Sequence, residues 1–188
     1  MKKSLGAKTI LYPTPALLVG TYGDDGKPNI VTVAWAGICC SVPPCIAVSL
    51  REVTQSHKNI VRHRAFTVNV PSEQYVKEVD YVGIISGTVE DKFAATGLTP
   101  AASDLVDAPC VQEFPLTLEC RLSHTFALGL HTQFVGEILD VKADEEVLNA
   151  AGMPDLEKLA PIFYAPEVRA YYGIGRHLGK AFSIGKTR

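Results

Sequence analysis

Ser49 and Arg51 end a short alternating stretch, and Thr54, Ser56, His57 and Asn59 follow at the start of a helical one. A cation and several hydroxyls thus meet the first turns of a helix, where unsatisfied N–H groups and the helix dipole favour negative charge. Such a corner can hold an anion such as a phosphate. The plainer alternative is that Arg51 pairs with a surface carboxylate and the hydroxyls serve only the chain itself.

The elements that position these groups lie in the same stretch, Asn29 to Arg62. From Cys45 to Arg51, Ile46, Val48 and Leu50 fall on one face and Ala47, Ser49 and Arg51 on the other, the period of a half-buried strand. Thr54 is placed to cap the helix that follows. Upstream, Val31, Val33 and Trp35 alternate with Ile30, Thr32 and Ala34; the pattern breaks at Ala36-Gly37 and turns through Ser41-Val42-Pro43-Pro44. Small residues at Ala34, Ala36 and Gly37 would let a flat ligand approach the backbone. Trp35, taken alone, suits a sheet core equally well.

The flanking pattern predicts more strands than helices. Lys3 to Tyr12 reads as an added edge, and Leu17 to Tyr22 as a strand joined by the turn residues Gly23 to Pro28 to the strand from Asn29. Phe66, Val68 and Val70 mark another strand, ended by Pro71, after which Ser72 caps a helix running to about Ile85. Ser86-Gly87 ends that helix, and Thr88 to Asp91 reads as a capping box for a short helix carrying Lys92 and Phe93. Pro115 to Phe126 forms a long strand with Leu116, Leu118, Cys120 and Leu122 inward and Thr117, Glu119, Arg121 and Ser123 outward. Thr132 to Lys142 returns beside it with Val135, Leu139 and Val141 on one face, and Asp144 to Ala151 forms a short helix. The class is mainly β with connecting helices, a closed or nearly closed Greek-key antiparallel barrel.

Composition narrows the function. The 188 residues suit a single domain, 1–188, and a net charge of −2 advertises no nucleic-acid partner. No apolar run is long enough to span a bilayer, and Met1 to Ser4 lacks the hydrophobic region of a signal peptide, so no membrane partner and a cytoplasmic location are expected. The five cysteines, Cys39, Cys40, Cys45, Cys110 and Cys120, are odd in number and follow no metal spacing, so reduced and mostly buried thiols are expected. A strained bridge between Cys39 and Cys40 is disfavoured by disulfide geometry. The histidine spacings suggest no metal site. Gly173 to Gly179 imitates a dinucleotide fingerprint, but its third glycine is one residue late and too little chain follows.

Taken in order, the segment from Pro13 to Trp35, the runs SVPPCIAVSLR and SHKNI, SGTVEDKF from Ser86 to Phe93 and the FPLTLECRL strand from Phe114 resemble the flavin reductase-like proteins with an FMN-binding split β-barrel, in particular the flavoredoxin type. The resemblance implies one noncovalent FMN per subunit of a homodimer, with NAD(P)H or a redox protein as electron donor. On that basis Ser49, Arg51, Ser56 and His57 belong to the phosphate end, Leu50 contacts the cofactor, and Thr32, Ala34, Trp35 and Ala36 line the ring. Ser86 and Gly87 also contact the cofactor. Lys92 and His131 stand near the reactive edge of the ring, and Phe163 or Tyr164 covers one face. Without the resemblance, Lys92 reads as a solvated surface lysine, His131 as a hydrogen-bonded structural histidine, and the aromatic pair as core. The rival reading is a non-enzymatic barrel that binds another small ligand or serves as a dimeric interaction module.

Overall fold

The computed structural model describes residues 1–186. Its strands are β1 (Thr14–Pro15), β2 (Leu17–Tyr22), β3 (Pro28–Val33), β4 (Ala36–Ser41), β5 (Pro44–Arg51), β6 (Ala65–Val70), β7 (Pro100–Ala102), β8 (Pro109–Val111), β9 (Leu116–Leu128), β10 (His131–Ala143), β11 (Phe163–Ala165) and β12 (Ala170–Tyr172). The α-helices are α1 (Gln55–His63), α2 (Val76–Ile84), α3 (Lys92–Thr96) and α4 (Leu156–Leu159). Among the described residues, no helix is long and apolar enough to cross a membrane.

Seven strands form one antiparallel sheet in the order β3-β2-β6-β9-β10-β5-β4. Its two outermost strands are consecutive in sequence, with only Ala34 and Trp35 between them. So short a link spans at most about 10 Å from Val33 to Ala36, so the sheet must curl until its edges meet. The Ser49 N–H reaches the Trp35 carbonyl at 2.9 Å, which extends the β4–β5 ladder one residue into that link. The result is a barrel split where β3 passes into β4.

Alternation along the strands fills the interior. Val19, Val33, Ile46, Val48, Leu50, Phe66, Val68, Cys120, Leu122 and Phe134 meet there with Ile60 of α1. Leu18 and Ile30 point the other way, into a second core under α2 and α3 with Val79, Val82, Phe93 and Phe114. Strand β2 is buried on both faces for this reason.

Several expectations from the sequence are corrected. Lys3 to Tyr12 forms no strand: Gly6 turns the chain at positive φ, and the paired edge is instead β1 against β11. The break after β3 falls at Ala34-Trp35, and Ala36-Gly37 already belong to β4. Asp91, not Thr88, caps the short helix, its Oδ1 accepting the Ala94 N–H at 3.1 Å. Ser72 makes no side-chain cap, and α2 is entered through the single 3-10 turn Glu73–Tyr75.

Asp144 to Ala151 yields only the 3-10 turn Glu145–Val147, because the Asn149 side chain takes the N–H groups of Ala151 and Met153. On β10 the inward residues are Thr132, Phe134 and Gly136 rather than Val135, Leu139 and Val141, and a ladder irregularity lies between Ile138 and Asp140. Thr117 and Glu119 are buried, because the β7–β8 segment covers the outer face of the sheet. Glu119 accepts the N–H groups of Asp104 at 3.3 Å and Leu105 at 2.8 Å, and Asn69 accepts that of Val111 at 3.0 Å. The thiols are all free, but only Cys45 and Cys120 are buried; Cys39 is exposed.

Gly136 shows how tightly the barrel closes. A Cβ there would stand 2.4 Å from Phe66 Cζ and 3.0 Å from Cys120 Cβ. Gly136→Ala is therefore expected to cost about 1–3 kcal/mol in urea unfolding, the usual price of overpacking a core. Phe66→Leu in that background should recover part of the loss.

Candidate functional site

Strand β5 delivers Arg51 to the corner where α1 begins. Thr54 caps α1 by accepting the His57 N–H at 3.2 Å, and its hydroxyl donates to the Arg51 carbonyl at 2.8 Å, so strand end and helix start are tied together. The first-turn N–H groups of a helix have no acceptor within it. Arg51 is exposed and, among the described residues, its guanidinium has no carboxylate or hydrogen-bond partner. The surface ion pair considered above is therefore not made.

The other corner residues are more committed. Ser49 is half-buried at the seam, while the Leu50 side chain is 3% exposed and belongs to the barrel core, which leaves only its backbone for a ligand. Ser56 is 1% exposed and its Oγ accepts from Asn29 Nδ2 at 2.7 Å, so its backbone, not its hydroxyl, faces the helix start. His57 Nε2 meets Thr132 Oγ1 at 2.9 Å, and the ring packs edge-on against Phe134 at 5.0 Å. Burial holds the imidazole below its ordinary pKa, only partly opposed by Glu52, so it is no strong cation at neutral pH. His131 is the ladder partner of Arg51, at this same corner.

Asn29 links the corner to a cleft of about 340 Å³ lined by Gln55, Asn59, Gly87 and Lys92 among others. Gln55 donates to Asn59 at 2.8 Å, and Asn59 to Thr21 at 3.0 Å, which fixes the amides at its floor. A Cβ on Gly87 would lie 2.0 Å from Asn29 Oδ1, so this loop approaches β3 closely only because residue 87 is glycine. Ser86 is exposed and hydrogen-bonds to Thr88 Oγ1 at 2.8 Å.

Lys92 is 4% exposed, so it is not a solvated surface lysine. Its Nζ donates at 2.8 Å to the carbonyl of Val82, in the last turn of α2 where a cation is favoured. Burial nevertheless lowers its pKa to about 8. A buried cation with a neutral partner leaves positive potential to spare for a neighbouring anion. Lys92 and His131 are not neighbours in a common cleft: Lys92 lines the Gly87 cleft, and His131 stands opposite Arg51.

Further along β3, Thr32 and Ala34 line a second cleft of about 300 Å³ with Gly83, Asp80, Tyr164 and Tyr171. Thr32 donates to the Val79 carbonyl at 2.6 Å, Tyr171 donates to Asp80 at 3.0 Å, and the Tyr164 and Tyr171 rings lie 5.4 Å apart. Trp35 is 37% exposed, not core, and with Ala34 and Ala36 borders a groove under Lys8 to Leu11. Strand β3 thus strings the two clefts together, with the Arg51 corner at one end.

Sequence reasoning missed Asn29, Gly83 and the Asp80–Tyr171 pair. Asn29 carried a usable signal, a polar residue opening an otherwise apolar strand. Gly83, between Val82 and Ile84 in a helix, carried another.

The fold is thus an antiparallel barrel with clefts along one seam strand, a cation at a helix start that is unpaired among the described residues, and a buried lysine lining one cleft. Residues 9–170 match the family described as Flavin reductase like domain, and the chain belongs to that family. The flavoredoxin of Desulfovibrio vulgaris (Miyazaki F) is 55% identical with a TM-score of 0.95, the match covering 98% of this chain and 100% of that one. The flavoredoxin from Methanosarcina acetivorans is 29% identical with a TM-score of 0.92, over 99% and 98% of the two chains. An uncharacterized protein of Archaeoglobus fulgidus is 32% identical over 146 residues, 78% of this chain and 80% of its own.

Burial of Lys92 has a consequence measurable without any ligand. Its folded pKa, about 8, lies below the ordinary 10.5, so the unfolded chain binds the proton more tightly and stability should rise as pH climbs from about 8 to 10.5. Urea denaturation across that window should show this rise in the wild type and its absence in Lys92→Met. Parallel pH profiles for the two proteins would contradict it.

Proposed function

We propose that this protein is an FMN-binding oxidoreductase that takes reducing equivalents from NAD(P)H or a redox protein and passes them to flavin or to a protein acceptor. The observation that carries this reading is the Arg51 guanidinium at the start of α1, unpaired among the described residues and joined through Ser56 and Asn29 to the cleft that holds Lys92. Flavin-related chemistry is supported by family membership and by the flavoredoxins it resembles.

The residues fit such a cofactor. Arg51 and the first-turn N–H groups of α1 would bind the phosphate, with Ser49, Ser56, His57 and His131 shaping the corner around them. Thr32, Ala34 and Ala36, small or already hydrogen-bonded, would let a flat ring lie along β3, with Trp35 and Tyr164 at its borders. Lys92 would place positive charge by the ring, with Ser86 and Gly87 forming the adjoining wall. Bound flavin would supply the electron-transfer chemistry, while the protein orients it and tunes its potential.

A homodimer belongs to the same reading. Its support is the exposed apolar set at the β9–β10 tip, Phe126, Leu128 and Leu130, and on the amino-terminal arm, Leu5, Ile10 and Leu11.

The isolated protein should be yellow, and acid should release FMN; a colourless protein that takes up no flavin would overturn the reading. Anaerobic stopped-flow mixing should bleach the bound flavin with NADH or NADPH if the donor is a nicotinamide, and only with a reduced redox protein if it is not. Lys92→Ala is expected to lower the midpoint potential of the bound FMN, and a redox titration that finds no change would remove its electrostatic role.

A further inference from the structure

The β4–β5 hairpin carries three thiols that the proposed flavin site leaves unused. Cys40 and Cys45 are ladder partners, one pair inward from Ser41 and Pro44, which close the loop of Val42 and Pro43. Directly opposed residues in an antiparallel ladder have Cα atoms roughly 4.5–5.5 Å apart, within the approximate 4.4–6.8 Å that a disulfide spans. Both sulfurs also face the loop, Cys40 Sγ at 3.4 Å from the Val42 carbonyl and Cys45 Sγ at 3.4 Å from that of Pro43.

Cys39, though adjacent in sequence, is set apart. The ladder slips between Ile38 and Cys40, which leaves Cys39 without a partner in register and exposed. Cys120 lies deeper, fully buried in the barrel core. The pair that geometry favours is therefore not the vicinal one.

We infer that Cys40 and Cys45 form a dithiol site that reduces small-molecule disulfides and closes a cross-strand disulfide in return. Cys40, half-buried, is the entry thiol, and Cys45, buried, resolves. The Cys40 thiolate attacks one sulfur of RSSR, the S–S bond breaks, and RS⁻ leaves and takes up a proton. The Cys45 thiolate then attacks Cys40 Sγ, expels the second RS⁻, which is also protonated, and joins the two strands. The dithiol loses two electrons and two protons, and one RSSR becomes two RSH. An excess of RSH runs the exchange backwards. Burial raises the Cys45 pKa, which suits a thiol that acts second and inside the protein. The inference does not depend on flavin binding.

The test is to equilibrate the full chain in buffers of oxidised and reduced glutathione, quench with acid and count free thiols after denaturation. In oxidising buffer the wild type should lose two of its five thiols reversibly while running as an uncrosslinked chain on a non-reducing gel. Cys39→Ser should still lose two. Cys40→Ser should form no internal bridge, and Cys45→Ser should trap glutathione on Cys40 as a mixed disulfide; Cys45→Ala replaces it if the serine at this buried position unfolds the chain. Five thiols surviving in the wild type, a bridge abolished by Cys39→Ser, or a crosslinked dimer would each overturn the assignment.

Discussion

The whole architecture depends on a linker too short to let the sheet lie open. Seven strands are ordered so that the first and last are neighbours in the chain, and Ala34 and Trp35 alone connect them. An open sheet would hold those edges several strand widths apart, at about 4.8 Å each, well beyond the reach of two residues. Closure is thus imposed by connectivity, and the apolar residues of one face of each strand fill the space it creates.

The same linker makes the seam where the clefts lie. Because β3 and β4 part company there, backbone and small side chains at Thr32, Ala34 and Ala36 are left uncovered. Helix ends then stand beside the two cations. α1 starts beside Arg51, and α2 ends at the carbonyl that holds Lys92. The two cations differ in setting: Arg51 is exposed and, among the described residues, unpaired, whereas Lys92 is buried with a carbonyl as its partner. Burial of Asn29, Ser56 and Asn59 is tolerated because each side chain hydrogen-bonds to another.

Much of this was legible in the sequence where one physical rule acted alone. Alternation placed β5 and β6, the turn residues after Tyr22 placed β2, and Thr54 capped α1 as its position demanded. Legibility failed where two local preferences competed or where a distant segment decided. Asn149 satisfied the backbone outside a helix, and Asp91 displaced Thr88 as a cap. Thr117 and Glu119 look like a solvent face until the β7–β8 segment, invisible to a period-two pattern, covers them. At the site, Arg51 could be recognised by its place at a strand end. The burial of Lys92 could not, because it depends on α2, α3 and β3 arriving together.

The central claim is that the Arg51 corner binds the phosphate of FMN, and riboflavin, which lacks that group, isolates it. Fluorescence titration of the apoprotein with each flavin, in the wild type and in Arg51→Ala, gives a double-difference free energy for the contact. The wild type is expected to prefer FMN, and Arg51→Ala to lose about 1.5–3 kcal/mol of that preference, the worth of a charge-assisted hydrogen bond, with little change toward riboflavin. An undiminished preference for FMN in Arg51→Ala would place the phosphate elsewhere and contradict the claim.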